Sequence, residues 1–262
     1  MIKLIASDLD GTLLPEGSQS LPSRTLELIR QLVEKGIYFV AASGREYENE
    51  RFLFASLEDK ISYIAANGTL CVHQGEVISR SVIPSDIVLR ILKELKKTPD
   101  FEVFMSGDHC CYVEKRNAEF LASFADVLTV DAVESLFDVT VPIRKIAICN
   151  TSGNPQAVPA YLKHLQEVFH DEVRVVTSGN EWIDFLMPGS NKGTALRKLL
   201  TTLDIRPEEC MVFGDQQNDI EMLECGGISY AMATAAPGVA DHADYVTDSP
   251  ADVMEELLRK LD

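Results

Sequence analysis

Two carboxylates two residues apart, Asp8 and Asp10, follow a short apolar run near the start of the chain. At the end of a strand this spacing lets both side chains face one crevice, so that one can attack an electrophile while the other moves a proton. Gly11 permits a sharp turn, and Thr12 can cap it. An acidic pair at a strand exit is also typical of a helix cap or a solvated turn. Asp-x-Asp is therefore a weak signal alone, and Asp-x-Asp-Gly-Thr after a buried strand is a stronger one.

Two further clusters offer groups that bind phosphate. Ser43-Gly44-Arg45 ends the next apolar run, and its hydroxyl and backbone N–H groups can hold phosphate oxygens because the glycine leaves room for them. Lys192 opens a predicted helix, where it can place a fixed cation against a phosphoryl group. The tripeptide also occurs as an ordinary turn, and a lone lysine in such a place is often only solvated.

The last cluster runs from Gly214 to Asp219 and again follows an apolar run. Asp215 offers the oxygen ligand that a hard divalent cation requires, and Asp219, one helical turn further on, can orient the ligand shell. Acidic residues in this place also serve as helix caps. Each cluster thus has an ordinary explanation of its own. These explanations are independent of one another, so the occurrence of all four clusters in this order and spacing favours a functional site.

Apolar runs that alternate with helical patterns must position these clusters. Strand, helix and strand in succession imply a right-handed crossover and a parallel sheet, and functional residues collect at the carboxyl ends of such strands. The pattern predicts strands at 2–7, 37–43, 61–66, 210–215 and 228–232, a hairpin over 69–79 that turns at Gln74-Gly75, and helices at 21–35, 46–57, 192–203, 218–224 and 251–261. The clusters should therefore converge at one edge of the sheet.

The order of predicted strands and helices changes from about residue 82. Strands joined by short turns are interspersed with helices, which indicates a separate α+β layer. The pattern predicts strands at 101–106, 110–115, 144–150, 173–178 and 181–186, and helices at 85–97, 117–124 and 157–169. The predicted fold class is thus α/β, with a discontinuous catalytic core at 1–81 and 188–262 and an inserted α+β cap domain at 82–187.

Composition restricts the partners. The chain has 24 Lys and Arg against 41 Asp and Glu, a net charge of −17, which argues against nucleic acid and anionic membranes as partners. No run approaches the roughly 18 apolar residues of a membrane span, and the apolar start is too short for a signal peptide, so we expect a cytoplasmic protein. The six cysteines lack metal-ligand spacing and are typical of small buried side chains in a reducing compartment.

Taken together, the clusters resemble the four motifs of the haloacid dehalogenase superfamily. The matching segments are DLDGTL from Asp8, SGR from Ser43, NKGTAL around Lys192, and GDQQNDIEML from Gly214. NG at 67–68, AM at 231–232 and ADYVT at 243–247 resemble the Cof-type subgroup, with its α+β cap (type IIB) inserted between the second and third motifs. The resemblance spans the whole core, and it implies a Rossmann-like (haloacid dehalogenase-like) parallel sheet.

The resemblance also implies a Mg²⁺-dependent phosphatase. Asp8 would attack phosphorus, and Asp10 would protonate the leaving oxygen and then activate water. Mg²⁺ would bind the Asp8 carboxylate, the Asp10 backbone carbonyl, Asp215 and waters. The other implied roles are phosphoryl binding by the Leu9 backbone N–H, Ser43, Gly44, Lys192 and Asn218, and support of the metal site by Asp219. The hydrolases of the family have an acid at the position of Asp10, whereas its transport ATPases do not.

The expected substrate is a small phosphorylated metabolite, with sugar phosphates the leading class. Two alternatives stay open: a phosphomutase or phosphotransferase of the phosphomannomutase kind, and a non-catalytic sensor of a phosphometabolite. Arg45 and Glu46 either contact the leaving group or form an exposed salt bridge. Other residues singled out are cap candidates near turns, Asp108, His109, Asn180, Glu181 and Trp182, and Asp184, for which we expect a structural role.

Overall fold

The computed structural model describes residues 1–15, 18–57, 59–98, 100–108, 110–115, 129–154, 156–177 and 181–261. The chain divides into two compact units, one of Met1–Arg80 with Asn191–Asp262 and the other of Ser81–Ser190. The predicted helix at 117–124 and the candidates His109 and Asn180 lie outside the described residues. None of the helices in the described ranges is both long and apolar enough to cross a membrane.

Helices and strands are numbered in chain order within the described ranges. The α-helices are α1 (Ser23–Glu34), α2 (Tyr47–Leu53), α3 (Ser85–Leu95), α4 (Ala157–Val168), α5 (Lys192–Thr202), α6 (Ile220–Leu223) and α7 (Pro250–Leu261). The strands are β1 (Leu4–Ser7), β2 (Tyr38–Ala42), β3 (Ser62–Ala65), β4 (Leu70–His73), β5 (Glu76–Arg80), β6 (Phe101–Ser106), β7 (Cys111–Glu114), β8 (Val130–Val133), β9 (Lys145–Asn150), β10 (Arg174–Thr177), β11 (Trp182–Leu186), β12 (Cys210–Gly214), β13 (Ile228–Met232) and β14 (Tyr245–Thr247).

The first unit is built on a sheet whose described strands have the order β14-β13-β12-β1-β2-β3-β4-β5. The pairs from β14 to β3 are parallel, and β4 and β5 add an antiparallel hairpin at one side. Strand β1 stands between β12 and β2. The carboxyl ends of these three strands therefore meet at one edge of the sheet, as the crossover pattern predicts.

Helices cover both faces of this sheet, which explains why its strands are continuous apolar runs rather than alternating ones. Ile5 of β1 packs in one core with residues of α1 and α7. Leu4 and Ala6, which point to the opposite face, pack in a second core with residues of α5 and α6. The polar residues that follow β1 are thus held by a strand that is buried on both sides.

The second unit is a six-stranded sheet, counted over its described residues, in the order β10-β11-β9-β6-β7-β8. All its pairs are antiparallel except β7 with β8. Residues of α3 and α4 pack with one face of this sheet, including Ile146 and Ile148 of β9, in a core of their own. This is the α+β arrangement that the sequence predicts.

Some predicted elements end elsewhere in the structure. The helix predicted at 46–57 ends at Leu53, and Phe54 and Leu57, which follow it, lie in the core. The helix predicted at 218–224 is a 3₁₀ turn followed by α6. Strands β8 and β14 were not predicted, since runs of four and three residues are too short to show periodicity. The predicted turn at Gln74-Gly75 is confirmed, with φ angles of 48° and 80°.

Candidate active site

Asp8 lies directly after β1, at the centre of the sheet edge. Its backbone N–H donates to the carbonyl oxygen of Phe213 in β12 at 3.0 Å, which holds the residue in the line of the strand. The side chain is buried, and its Oδ1 accepts a hydrogen bond of 2.5 Å from Nζ of Lys192. Burial raises the pKa of Asp8 well above its ordinary value, against the opposing effect of the Lys192 ammonium. The carboxylate is thus shielded from water and held from one side by a cation.

Lys192 is the first residue of α5, and the helix start fixes its position. Asn191 is the N-cap, and its Oδ1 accepts a hydrogen bond of 2.6 Å from the Thr194 N–H. The Lys192 ammonium lies between two carboxylates, 2.5 Å from Asp8 Oδ1 and 2.6 Å from Asp219 Oδ1. Burial alone would lower the pKa of Lys192, but the two carboxylates outweigh it and raise the pKa. Lys192 therefore stays charged in the interior.

Asp219 is fully buried and fixed by its neighbours on both carboxylate oxygens. Oδ1 accepts from Lys192, and Oδ2 accepts from the backbone N–H groups of Asp215 and Gln216 at 3.0 and 2.9 Å. Gly214 makes room for this contact, since a Cβ there would lie 2.6 Å from the Cβ of Asp219. Asp219 thus ties the turn after β12 to the lysine.

Asp215 is also buried, and it reaches back to the turn after β1. Oδ1 accepts a hydrogen bond of 2.8 Å from the Thr12 hydroxyl, and Oδ2 accepts one of 2.9 Å from the Gln216 amide. A Cβ on Gly11, whose φ is +87°, would lie 2.4 Å from Asp215 Oδ2, so only glycine fits there. Burial is the main cause that raises the pKa of Asp215 above its ordinary value.

Asp8, Asp215 and Asp219 together could hold a metal ion, because each offers a carboxylate oxygen and these oxygens all lie within 4.8 Å of one another. Hard oxygen donors of this kind fit a cation such as Mg²⁺. The raised pKa values of Asp8 and Asp215 reflect burial and the carboxylates nearby, a cost that a divalent cation would relieve. Asp219 is held by the Lys192 ammonium and two backbone N–H groups, whereas Asp215 accepts from two neutral side chains. Asp8 and Asp215 are therefore the better candidates for direct ligands.

The side chain of Asp10 pairs with Arg45. Arg45 Nε and NH2 donate to Asp10 Oδ2 and Oδ1 at 2.8 and 2.6 Å. Arg45 NH1 also donates to Gln19 at 3.0 Å and to Asn49 at 2.8 Å. Burial alone would lower the pKa of Arg45, but the Asp10 carboxylate raises it above its ordinary value. Of the two expectations for Arg45, the structure has a salt bridge, made by a guanidinium that is only 15% exposed.

Ser43, Gly44 and Asn218 lie at the same edge of the sheet. The buried Ser43 follows β2, and its hydroxyl accepts a hydrogen bond of 3.1 Å from the Arg45 N–H. The Asn218 amide donates to Oδ1 of Asn67 at 2.9 Å, and a Cβ on Gly44 would lie 3.2 Å from the same oxygen. The Asn67 side chain thus bonds to Asn218 and lies close to Gly44, which belong to two of the segments that the sequence predicts to bind phosphate.

The Leu9 carbonyl organises the first motif. It accepts from the N–H groups of Thr12, Leu13 and Leu14 at 3.2, 2.9 and 2.7 Å. This compact turn fixes the backbone that joins the two acidic residues of the motif.

Sequence analysis missed one buried acid beside the site. Glu50 of α2 is fully buried, and neither carboxylate oxygen has a hydrogen-bond partner among the described residues. Burial raises its pKa well above the ordinary value. Its helical spacing from Leu53 is the one sequence signal that could have placed it on the inner face of a helix otherwise rich in polar residues.

Comparisons with known proteins agree with this architecture. Residues 5–256 match the family of haloacid dehalogenase-like hydrolases. The 5-amino-6-(5-phospho-D-ribitylamino)uracil phosphatase YbjI of Escherichia coli K12 is 30% identical over 98% of this chain and 97% of its own. An HMP-PP phosphatase of Escherichia coli O8 (strain IAI1) is 28% identical over 90% of this chain and 86% of its own. The structure of BT4131, described as a HAD subclass IIB sugar phosphatase, has a TM-score of 0.77 and 25% identity over 97% of this chain and 98% of its own.

The sheet is parallel with helices on both faces, and buried acids lie at its edge. The two Escherichia coli relatives, which match this chain over most of their length, are phosphatases. The class of protein is therefore a phosphomonoester hydrolase. The chain belongs to the haloacid dehalogenase-like hydrolases, of the Cof type.

Proposed function

We propose that this protein is a Mg²⁺-dependent phosphatase of small phosphorylated metabolites that works through a phosphorylated Asp8. The observation that carries the proposal is the placement of Asp8, a buried carboxylate at the end of the central strand, 2.5 Å from a buried lysine and grouped with Asp215. A carboxylate shielded from water and held in one orientation is suited to nucleophilic attack. The relatives named above support the phosphatase reaction.

In the first step an Asp8 oxygen attacks phosphorus, and the bond from phosphorus to the leaving oxygen breaks. Asp10 gives a proton to that oxygen, so the alcohol departs neutral. In the second step water attacks the phosphorus of the aspartyl-phosphate while Asp10 takes its proton. The bond between phosphorus and Asp8 then breaks, which releases orthophosphate and restores both carboxyl groups.

The groups around Asp8 bind and orient the phosphoryl group. Ser43, Gly44, Asn218 and the Leu9 backbone N–H are proposed to hold its oxygens, and Lys192 adds a fixed positive charge. Asp219 keeps Lys192 in place, since its carboxylate lies 2.6 Å from the ammonium. Preformed donors of this kind act without reorganising during the reaction.

Asp8, Asp215 and the Asp10 backbone carbonyl are proposed to hold Mg²⁺, with Asp219 behind them. The bound cation would neutralise charge on the phosphoryl oxygens. The three grouped carboxylates favour this assignment, because the single positive charge of Lys192 does not balance three negative charges in a buried place.

Sugar phosphates are the leading substrate class, supported by the relation to the sugar phosphatase BT4131. The two Escherichia coli relatives are named for other phosphorylated metabolites, so the substrate must be found by experiment. We propose residues 1–81 and 188–262 as the catalytic core and residues 82–187 as the cap. We also place the protein in the cytoplasm, which the free cysteines support: all six are described, and five of them are buried.

The test is phosphate release from a broad panel of phosphorylated metabolites by the purified protein, with Mg²⁺ and with a chelator. Asp8→Asn should abolish release, and Asp10→Asn should lower kcat by about 10²- to 10⁴-fold. The exposed Asp204→Asn is a matched control that should leave kcat unchanged.

Undiminished release by a pure Asp8→Asn protein would overturn the mechanism. Transfer of phosphate between positions of a hexose phosphate, instead of its release, would identify a mutase. Binding of Mg²⁺ and of substrates without turnover would favour the sensor.

A further inference from the structure

Three consecutive residues after β3 have left-handed backbone conformations. The φ angles of Ala66, Asn67 and Gly68 are 48°, 57° and 84°. This conformation is costly for residues with a side chain, more so for Ala66 than for Asn67, and persists only where the surrounding structure enforces it. We refer to these three residues as the Asn67 turn. Its position after a parallel strand places it at the edge of the sheet where Asp8 lies.

Backbone hydrogen bonds connect the Asn67 turn to the serine-glycine-arginine segment. The Asn67 N–H donates to the Ser43 carbonyl at 2.9 Å, and the Ala66 N–H donates to the Arg45 carbonyl at 2.7 Å. These bonds bracket Gly44 on both sides. The strained turn therefore fixes the backbone that is proposed to face the phosphoryl group.

The same turn is packed against the start of α5. A Cβ on Gly68 would lie 2.2 Å from the carbonyl oxygen of Asn191, the residue before Lys192. No side chain could be accommodated there without moving one of the two backbones. The close approach ties the turn to the segment that carries the lysine.

The Asn67 side chain completes these connections. It is 5% exposed, and its Oδ1 accepts the hydrogen bond of 2.9 Å from the Asn218 amide. An amide NH₂ group has two N–H donors, so this bond leaves the second donor of Asn218 for another acceptor and sets its direction. The Asn67 oxygen also lies 3.2 Å from the place of a Cβ on Gly44.

We propose that Asn67 is a positioning residue, which aims the Asn218 amide and the Gly44 backbone at the oxygens of the transferred phosphoryl group. The inference rests on the proposed function, since it concerns how that site binds phosphate. It is supported by the strained turn and by the contacts of that turn with the serine-glycine-arginine segment, the start of α5 and Asn218. Loss of the Asn67 amide frees Asn218 to rotate, and small displacements of binding groups cost as much as about 100-fold in rate.

The experiment compares Asn67→Gly, Asn218→Ala and the double variant with the wild-type full chain. Glycine keeps the left-handed backbone and removes only the amide. Gln74→Gly is the matched control, because Gln74 is exposed, has a φ of 48° and lies at the other end of β4. Thermal midpoints, kcat, KM and the calorimetric affinity for orthophosphate with Mg²⁺ are measured for each protein.

We expect each single variant at the site to lower kcat/KM by about 10- to 100-fold and to weaken orthophosphate binding. The double variant should lose less in kcat/KM than the two single losses combined, because the contact between Asn67 and Asn218 is shared by both changes. Gln74→Gly should match the wild type. Additive losses, or a lower thermal midpoint with unchanged kcat/KM and orthophosphate affinity in Asn67→Gly, would overturn the inference.

Failure of the proposed function would look different. A wild-type protein that binds orthophosphate but releases none from any substrate disproves the phosphatase proposal, and the orthophosphate affinities of the variants then still decide the role of Asn67. A wild-type protein that neither turns over substrates nor binds orthophosphate would overturn both proposals.

Discussion

Arg45 holds the carboxylate of Asp10 through two parallel hydrogen bonds, from Nε to Oδ2 at 2.8 Å and from NH2 to Oδ1 at 2.6 Å. The planar guanidinium fits both oxygens at once, which fixes the rotation of the carboxylate as well as its distance. The Asp10 side chain is 55% exposed, so this pairing is the main constraint that the described residues place on its direction. The residue proposed to move the proton is thus oriented by its neighbour in the second motif.

Arg45→Lys should lower kcat with little effect on the thermal midpoint. A lysine keeps the charge but cannot make the two parallel hydrogen bonds of the guanidinium, so Asp10 loses its fixed orientation. We expect a fall in kcat of about 10- to 100-fold, within the range that general acid catalysis contributes. Steady-state kinetics on the best substrate checks it, with Arg51→Lys in α2, the helix that follows Arg45, as the control. Equal kcat values for both variants would contradict an orienting role for Arg45.

Lys192→Met should destabilise the protein. Lys192 forms ion pairs with the buried Asp8 and the buried Asp219, and its removal leaves two carboxylates in the interior without this cation. Breaking a buried pair in this way costs about 3–5 kcal/mol. Urea unfolding at neutral pH measures the loss, and Lys198→Met, an exposed position on the same helix, is the control. A loss no larger than that of the control would mean that the ion pairs contribute nothing.

Glu50→Gln should change the dependence of stability on pH. Burial is the largest cause that raises the pKa of Glu50, Lys192 and Arg45 oppose it, and Asp8 and Glu46 add to it. Because the folded state favours the protonated form, the contribution of Glu50 to the free energy of unfolding is fully present below the ordinary pKa of 4.5 and is lost as the pH rises through the raised value.

The variant, which cannot ionise, should therefore gain in the free energy of unfolding relative to the wild type as the pH is raised above the ordinary pKa of 4.5 towards neutral. Urea unfolding across this range checks the trend. Glu48→Gln, a partly exposed position on the same helix, should follow the wild type. Parallel curves for Glu50→Gln and the wild type would show that Glu50 does not titrate differently in the folded protein.

Mg²⁺ should stabilise the folded protein, and Asp215→Asn should weaken that effect. A ligand that binds only the folded state adds about 2.7 kcal/mol at one hundred times its Kd. Scanning calorimetry with increasing Mg²⁺ should therefore show a rising midpoint for the wild type, reversed by chelator. Asp204→Asn should keep the full response. A response in Asp215→Asn as large as that of the control would remove Asp215 from the set of ligands.

The sequence predicts the sheet edge well because the positions of Asp8, Ser43 and Asp215 depend mainly on strand order. Once β12, β1 and β2 are parallel neighbours, the residues after them must meet. The partner of Arg45 could not be predicted, because the direction of its side chain depends on the turn that precedes α2. The burial of Glu50 is signalled in the sequence only by its helical spacing from Leu53, because the other residues of this helix are mostly polar.

The connection between Asp8 and Lys192 spans 184 residues, and the whole second unit is synthesised between them. A nascent chain on the ribosome therefore carries the proposed nucleophile long before its lysine exists. Until β12 emerges, β1 also lacks one of its two neighbouring strands and presents an unpaired edge. Fragments that end within Ser81–Ser190, whether from premature termination or proteolysis, would retain Asp8 and Asp10 yet lack Lys192, Asp215, Asn218 and Asp219. The chain thus acquires its proposed chemistry only when its last segment is made.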